Sequence, residues 1–318
     1  MRSILKKFLT SKIILKKIWL IIIAIIQRWI IRLPIFSLIL KKKQEEVYRR
    51  AFVNMILRES SFKDDNMFLC NFRNEELPKR LLREAMPKHV AVILDGSRRW
   101  AKKRGISSIQ GYEAGLGTLC FFLELCRRWK IPIISLFMFS SENWARPKDE
   151  VDYLMYAFEK ALKYYLVFTS QRYGARVSVI GDKSTLPNSL QEAIIKIEQD
   201  TKENTEFHII ISMSYSGQND IVHACQTISK KVKDGLLQPE AITKSLFEQH
   251  LQTNVTDVSS PDLIIRTSGE IRLSNYYLWQ SAYTELYFTD TLWPDFGEDE
   301  FVKALRSFQQ RGRRFGKV

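Results

Sequence analysis

Cysteine, proline and glycine are scarce in this sequence of 318 residues, which has four, nine and thirteen of them. The cysteines form no CxxC pair and no metal-like spacing with the four histidines, so a zinc module is not supported. A disulfide framework is unusual in so large a chain with so few cysteines, and we expect reduced, mostly buried thiols in an intracellular protein. These thiols are Cys70, Cys120, Cys126 and Cys225.

Motifs of two common enzyme classes are also missing. No GxxxxGK[ST] sequence occurs, which excludes an ATP-type P-loop. Ser216 and Gly217 lack the GxSxG context of a hydrolase nucleophile. His89 and His208 lie in or next to apolar runs, so we expect them to be buried structural residues.

Acidic residues are absent from the first part of the chain. Residues 1–43 hold 11 lysines or arginines and no aspartate or glutamate, and the formal charge of the whole chain is +14. The other 275 residues are close to neutral, with 38 basic and 35 acidic side chains. A nucleic-acid-binding domain is expected to carry a basic face, so we expect no nucleic acid partner.

The same segment is hydrophobic. Residues 18–26 are apolar, but a spanning helix needs about 20 such residues and would have to include Arg28 and Arg32. Each arginine would cost roughly 2.5–3.5 kcal/mol near the bilayer centre. We therefore expect residues 1–43 to lie on a membrane surface as an interfacial helix. A cleaved organelle transit peptide, which is also basic and acid-free, is the alternative.

Residues 44–85 are predicted to form a helical, charged connector, and residues 86–318 a single domain. From Pro87 onward, short runs rich in Val, Ile and Phe alternate with longer segments of helical period. Continuous apolar runs suit strands that are covered on both faces, and helices between them indicate a mostly parallel sheet. The α/β class is thus predicted, with about six strands at 90–94, 131–139, 177–180, 207–213, 263–265 and 285–288.

One of the helical segments has a clear apolar stripe. The members of the stripe follow i, i+3, i+4, i+7 spacing and are Val151, Leu154, Met155, Phe158, Leu162 and Tyr165. Such a pattern is typical of a helix that packs against the core.

Polar segments follow three of the predicted strands, at 95–100, 140–147 and 266–275. In open parallel sheets, ligands bind outside the carboxyl ends of the strands. The three segments together supply carboxylates, arginines, hydroxyls and glycines, which a phosphate-rich substrate would need. We therefore predict a ligand site where these segments meet.

The first of these segments suits a metal-bound diphosphate. Asp95 ends a buried strand, Gly96 allows a tight turn, and Arg98 and Arg99 follow. A carboxylate in this place can hold Mg²⁺ between itself and a diphosphate. A helix N-cap role for Asp95 is the alternative interpretation.

The last segment suits a second diphosphate. Arg266, Arg272 and Ser274 supply forked donors and a hydroxyl within nine residues. Guanidinium groups bind phosphate oxygens bidentately. Surface ion pairs with Glu270 and Asp262 are the alternative interpretation.

Three stretches resemble the signature regions of the cis-prenyltransferases: HVAVILDGSRRWA at 89–101, FSSENWARP at 139–147 and PDLIIRTSGEIRLSNYYLWQSAYTELYF at 261–288. This family includes undecaprenyl and dehydrodolichyl diphosphate synthases and the plant short-chain cis-prenyl diphosphate synthases. The resemblance covers residues 86–316. It implies an α/β domain with a hydrophobic tunnel between sheet and helices. It also implies a Mg²⁺-dependent condensation of isopentenyl diphosphate with an allylic prenyl diphosphate that creates new cis double bonds.

The resemblance further implies the roles of individual residues. Asp95 and Glu285 match acids that are linked to the metal. The positions that match catalytic residues are Asp95, Ser97, Ser140, Glu142 and Asn143. The positions that match substrate-binding residues are Gly96, Arg98, Arg99, Trp100, Tyr112, Phe139, Trp144, Arg146, Arg266, Arg272, Ser274, Arg314 and Gly316. The apolar stripe resembles the helix that lines the family's product tunnel.

Two positions depart from the family pattern: Ser97 stands where Asn is usual, and Tyr112 where His is usual. Serine offers one hydroxyl where an amide offers two donors and an acceptor. Tyrosine does not titrate near neutral pH, as histidine does. The alternative function is therefore a catalytically weak binding subunit that stabilises an active cis-prenyltransferase partner at a membrane.

The C-terminal sequence Arg314-Phe315-Gly316 resembles the family's RxG tail, which implies a homodimer through the C-terminal region. With the N-terminal segment, the resemblance favours a membrane-associated protein of the endoplasmic reticulum. A plastid or another organelle is the alternative location.

Overall fold

The computed structural model describes residues 77–313 and nine helical residues between positions 42 and 54. The chain separates into two compact units, Met1–Val47 and Tyr48–Val318. The predicted membrane-associating segment 1–43 lies almost entirely outside the described residues, as do Arg314 and Gly316 of the predicted dimer tail. Among the described residues, no helix has both the length and the apolar character needed to span a bilayer.

Six parallel strands form one sheet in the order β3-β4-β2-β1-β5-β6. This confirms the predicted α/β class and all six predicted strands. The strands are β1 (His89–Ile93), β2 (Ile133–Ser140), β3 (Ala175–Ile180), β4 (Phe207–Tyr215), β5 (Leu263–Arg266) and β6 (Glu285–Phe288).

Eight α-helices connect and flank the strands within residues 77–313. They are α1 (Ser97–Lys103), α2 (Ser108–Arg128), α3 (Lys148–Lys160), α4 (Val167–Tyr173), α5 (Asn188–Thr201), α6 (Gly217–Lys233), α7 (Lys244–Gln249) and α8 (Glu298–Gln309). A π-helical segment, Ala161–Leu166, joins α3 to α4. Single 3₁₀ turns lie at Arg83–Ala85, Ser141–Ala145, Lys183–Thr185, Pro239–Ala241 and Trp293–Asp295.

The strands read as continuous apolar runs because the sheet is covered on both faces. Every residue of β1 is buried, and successive residues point to opposite sides. Val90 and Val92 join the larger core, to which α2, α3, α5 and α8 contribute. Ala91 and Ile93 join a smaller core on the other face.

The apolar stripe of α3 faces the larger core, as its spacing predicts. All six members, from Val151 to Tyr165, are buried. The stripe crosses from α3 into the π-helical segment at Ala161. The i+3/i+4 spacing carries no sign of this change in winding.

Strand β1 lies at the point where the chain order of the sheet reverses. It pairs with β2 on one side and with β5 on the other, so that Ile93 is level with both Phe137 and Arg266. The carboxyl ends of these strands therefore meet at one edge of the sheet. Ligands bind at such switch points in open α/β sheets.

Candidate active site

A cavity of about 850 Å³ opens at this edge of the sheet. It brings together side chains from all three polar segments that were singled out in the sequence. The predicted site residues that line it are Asp95, Gly96, Ser97, Arg98, Arg99, Tyr112, Ser140, Glu142, Asn143, Arg146, Arg266, Arg272 and Ser274.

Hydrogen bonds between the Asp95 backbone and the Thr267 side chain hold Asp95 in place. Its N–H donates to the Thr267 hydroxyl oxygen (3.0 Å), and that hydroxyl donates to the Asp95 carbonyl (2.6 Å). The carboxylate is left to face the cavity. It accepts a hydrogen bond from Arg266 at 2.9 Å and lies 3.6 Å from the Arg99 guanidinium.

The N-cap interpretation of Asp95 is wrong. Helix α1 begins after Gly96, which has a φ of +112° and provides no side-chain cap. The first backbone N–H groups of the helix therefore have no capping side chain. The Asp95 carboxylate is used for ion pairs instead, and it remains available to a ligand.

Arg266 organises the far side of the cavity. Its side chain is only 4% exposed. One amino group donates to the Arg272 carbonyl and to the Ser274 hydroxyl, both at 2.6 Å, while the other reaches Asp95. This guanidinium therefore joins the two predicted diphosphate-binding segments.

The loop that carries these groups has an unusual backbone. Ser268, Ser274 and Asn275 all have positive φ, at +81°, +50° and +64°. Non-glycine residues in this region are strained, and such strain concentrates at functional sites. It is maintained by contacts such as the Asn275 side chain, which donates to Glu142 at 2.9 Å.

Glu270 lies between two arginines of the cavity. One carboxylate oxygen is 3.1 Å from Arg99, and the other is 2.5 Å from Arg272. The ion pair expected between Arg272 and Glu270 is thus present. Asp262, by contrast, accepts from the backbone N–H groups of Lys88 and His89, away from these arginines.

The segment after β2 forms a capping box. The Ser140 backbone N–H donates to the Asn143 side-chain oxygen at 3.1 Å, which fixes the turn that starts at Ser141. Burial raises the pKa of Glu142, but hydrogen bonds from Asn275, its own backbone and Ser140 together lower it below its ordinary value. Glu142 is therefore an ionised carboxylate at the rim.

Three predicted aromatic site residues do not line the cavity. The Trp100 indole N–H donates to Asp295 at 2.7 Å, and Arg104 stacks on its ring at 3.9 Å. Trp144 donates to Ser214 at 3.0 Å and packs edge-on against the buried ring of Phe139. These three residues lie outside the cavity lining, and each is next in sequence to a residue that lines it.

Glu285 lies at the other end of the sheet. It is the first residue of β6 and pairs with Leu263, three ladder positions before the level of Arg266. Three residues of strand span roughly 10 Å, and Asp95 lies still further along. Arg311 binds the Glu285 carboxylate at 2.7 Å. Within one chain the Glu285 carboxylate therefore does not lie beside Asp95, and its link to the metal stays a prediction.

The cavity also has a lining that was not predicted. Gln218, at the start of α6, follows β4, so the same strand-end rule would have found it. Trp293 enters from the segment after β6 and donates its indole N–H to the Gly115 carbonyl. Glu150 contacts Tyr112 from α3, and no local sequence signal marks that contact.

The inner end of the cavity is apolar. It is lined by Leu116, Leu119, Met138, Leu154 and Phe158. A second cavity of about 30 Å³ shares four of these residues and is otherwise enclosed by apolar side chains of α2, the π-helical segment, β2 and β4. The site thus combines a charged rim with an apolar interior.

Comparison with known proteins identifies this arrangement. Residues 93–316 match the family model Prenyltransf, of the undecaprenyl diphosphate synthases. Cis-prenyltransferase 4, chloroplastic, of Solanum lycopersicum is 56% identical over 241 residues, which cover 76% of this chain and 78% of the relative. Dehydrodolichyl diphosphate synthase CPT5, chloroplastic, of the same species is 57% identical over 246 residues, with 76% and 78% covered.

A solved structure agrees with the sequence relatives. The crystal structure of lavandulyl diphosphate synthase from Lavandula x intermedia in complex with dimethylallyl diphosphate superposes with a TM-score of 0.72 at 42% identity. The comparison covers 74% of this chain and all of that one. The resemblance noted in the sequence is thereby confirmed, and the chain belongs to the cis-prenyltransferase family.

Proposed function

We propose that this chain condenses isopentenyl diphosphate with an allylic prenyl diphosphate and so extends the prenyl chain with cis double bonds. The observation that carries the proposal is the single cavity in which Asp95 and Arg99 face Arg266 and Arg272 above an apolar interior. Two anionic groups and one hydrocarbon tail fit such a lining. Nothing observed favours the alternative of a catalytically weak binding subunit.

The allylic diphosphate would bind beside Asp95, Arg98 and Arg99. Magnesium ions are commonly held by one or two carboxylates together with substrate phosphates and water. Within the described residues, no cluster of three or more metal-binding side chains occurs. One half-buried carboxylate next to arginines fits an ion that the substrate itself helps to bind. When bound, Mg²⁺ would supply positive charge to the leaving diphosphate.

Isopentenyl diphosphate would bind at Arg266, Arg272 and Ser274. Arg272 is 59% exposed, and its guanidinium is free to exchange Glu270 for a phosphate group. Arg266 is already fixed by its hydrogen bonds to the Arg272 carbonyl and to Ser274. A preorganised guanidinium loses little entropy when an anion arrives.

The chemistry follows from this placement of charges. As the allylic C–O bond breaks, its electron pair leaves with the diphosphate, and Arg98 and Arg99 stabilise the negative charge that develops there. The double bond of isopentenyl diphosphate forms the new C–C bond to the allylic carbon, and a proton is lost. Glu142 is ionised at the rim, and we assign it to accepting that proton and Asn143 to positioning this substrate.

The growing tail would extend into the apolar interior and towards the second, smaller cavity. The helical face of α3 and the π-helical segment supply Phe158, Ala161 and Leu162 to that region. A tunnel between sheet and helices is supported by this apolar lining. The small volume of the inner cavity, about 30 Å³, suggests that long products require these side chains to move.

The location and assembly of the protein also belong to this proposal. Both of the relatives named above have chloroplastic in their names, which supports the plastid alternative. No finding supports the endoplasmic reticulum, which was the favoured expectation.

We retain a homodimer, with the Arg314–Gly316 region at its interface, on the strength of the sequence resemblance. Association of residues 1–43 with a membrane surface likewise rests on their sequence.

Incubation of the purified chain with Mg²⁺, isopentenyl diphosphate and allylic primers of increasing length tests the function. We expect prenyl diphosphates with cis double bonds, identified by mass spectrometry and NMR, and no product with EDTA. Asp95→Ala should fold and lose turnover. Asp152→Asn, on the exposed side of α3, should fold and keep its turnover. Full activity of Asp95→Ala would refute the site. A parent chain that turns over nothing but binds a second prenyltransferase would establish the alternative function.

A further inference from the structure

A buried carboxylate outside the predicted site contacts three residues of the cavity lining. Glu150 belongs to the first turn of α3, and it is 9% exposed. The Tyr112 hydroxyl donates to one of its oxygens at 2.5 Å, and Arg146 approaches the same oxygen at 3.3 Å. Arg98 lies 3.8 Å from the other oxygen. Three side chains that line the cavity therefore converge on Glu150.

Tyr112 stands between the charged and apolar parts of the cavity. It occupies the same face of α2 as Gly115, Leu116 and Leu119, which line the cavity one and two turns further on. A phenol has one proton to donate, and this proton is used on Glu150. Burial and this hydrogen bond raise the pKa of Tyr112, so the phenol stays neutral. Tyr112 therefore does not donate to a diphosphate while the bond to Glu150 lasts.

Glu150 also neutralises part of a concentrated positive charge. Arg98 and Arg146 come from different segments, and the Glu150 carboxylate contacts both of them. Arg98 is 56% exposed, so few other contacts restrain its guanidinium. Without an anion between them, the two arginines would repel each other and turn towards solvent. A diphosphate would then meet a less ordered set of donors.

We propose that Glu150 is a positioning residue for the allylic diphosphate, and that its hydrogen bond to Tyr112 sets the direction of Arg98 and Arg146. The inference rests on the proposed function for the identity of the ligand. It assigns Tyr112 to the orientation of the arginines rather than to direct contact with phosphate. It also confines the effect to one of the two substrates, since Arg266 and Arg272 have no contact with this cluster.

Calorimetric titration of the full chain with geranyl diphosphate and, separately, with isopentenyl diphosphate tests this assignment. Tyr112→Phe and Glu150→Gln should each weaken geranyl diphosphate binding roughly tenfold, as expected for loss of a hydrogen bond to a charged group. The dissociation constant for isopentenyl diphosphate should change less than about twofold. The double variant should be no weaker than the weaker single variant, because both changes break one interaction.

Tyr153→Phe is the matched control. Tyr153 is also on α3, and its hydroxyl donates to Glu113 of α2 at 3.3 Å, away from the cavity. This variant breaks a second tyrosine–glutamate bond between the same two helices, and it should leave both dissociation constants unchanged. A purely structural role of Glu150 would make the two tyrosine variants behave alike.

The outcomes separate the inference from the proposed function. Equal weakening of both ligands, or no weakening of either, would overturn the role of Glu150. Failure of the parent chain to form product, with geranyl diphosphate binding still sensitive to Glu150→Gln, would overturn the function and leave the positioning role. If Glu150→Gln does not fold, Tyr112→Phe, which keeps the ring in place, decides the result.

Discussion

Gly96 turns the chain from β1 into α1 with a φ of +112°, and the absence of a side chain leaves room for its neighbours. A Cβ at this position would lie 2.9 Å from the Leu292 side chain and 3.0 Å from the Ser268 Cβ. Both neighbours belong to segments that close the cavity edge around Asp95. The turn is therefore constrained by its backbone conformation and by its surroundings at the same time.

Gly96→Ala should lower the free energy of unfolding by about 2–6 kcal/mol, because strain of about 1–3 kcal/mol adds to overpacking of similar size. Gly235→Ala is the control, since Gly235 has a φ of +72° and open space around it. The control should show the strain alone, about 1 kcal/mol. Urea denaturation of both variants measures the difference, and equal losses would contradict a packing role at Gly96.

Individual site residues were predictable where their function depends on local sequence. Arg266 ends the buried strand β5 and Asp95 comes two residues after β1, so strand ends alone place them at one edge. Glu150 was missed because it lies 38 residues from Tyr112 in the sequence, and their contact depends on how α2 packs against α3. The motif that marks Glu285 does not show which end of a strand the residue occupies, and in the structure it begins β6.

Two strands carry buried histidines, as their apolar surroundings predicted. In β1, His89 contacts the Val258 carbonyl and Ser135, and in β4 the His208 ring contacts Ser178 at 2.9 Å. Desolvation lowers the pKa of each imidazole from 6.5 to about 4. For His89, the hydrogen bond to Val258 opposes this effect only in part. Both rings are therefore neutral in the folded sheet at pH 5.

Acid should destabilise the sheet through these rings. The unfolded chain binds protons at the histidines below pH 6.5, whereas the folded chain excludes them until about pH 4, so stability falls as the pH is lowered between these values. Each ring should cost about 2 kcal/mol between pH 7 and pH 5. Urea denaturation at both pH values measures the loss. His208→Gln should remove about half of it, and an unchanged loss in that variant would contradict the assignment.

The winding of the helical layer could not be read from its sequence. The apolar stripe continues through Ala161–Leu166 without a break in spacing, yet this segment is π-helical. A π-helical turn accommodates an extra residue per turn, and such turns are frequent at functional sites. Here the segment places Ala161 and Leu162 against the inner cavity. The pattern predicted the buried face but not the local winding.

Ala161→Leu should shorten the products of the enzyme. The added carbons would fill an inner cavity of only about 30 Å³, at the end where a growing tail must extend. Overpacking of this kind costs about 1–3 kcal/mol, which a bound tail would have to overcome. Mass spectrometry of products made from one primer should show fewer added isoprene units. Tyr156→Trp, on the exposed side of the preceding helix α3, is the control. Unchanged product length in Ala161→Leu would place the tail elsewhere.

At the scale of the molecule, the domain extends beyond the segment that matches the family. The match begins at residue 93, but Arg49 is part of the same compact unit. Its guanidinium donates to the Thr118 hydroxyl at 2.9 Å and to the Pro294 and Phe296 carbonyls at 2.6 and 3.1 Å. It thus connects α2 to the turn that follows Trp293, a cavity residue. The sequence predicted a helical connector here, but not this contact.

Arg49→Ala should destabilise the domain although the residue lies far from the site in sequence. Two backbone carbonyls and a buried hydroxyl would lose a charged donor, which should lower the free energy of unfolding by about 2–4 kcal/mol. Lys79→Ala removes an exposed cation further along the connector, and it should change stability by no more than about 0.5 kcal/mol. Because Trp293 donates to the Gly115 carbonyl inside the cavity wall, the Michaelis constants should also rise in Arg49→Ala. Thermal unfolding and steady-state kinetics of the two variants measure both effects. Identical behaviour of the two variants would show that the connector is dispensable for the domain.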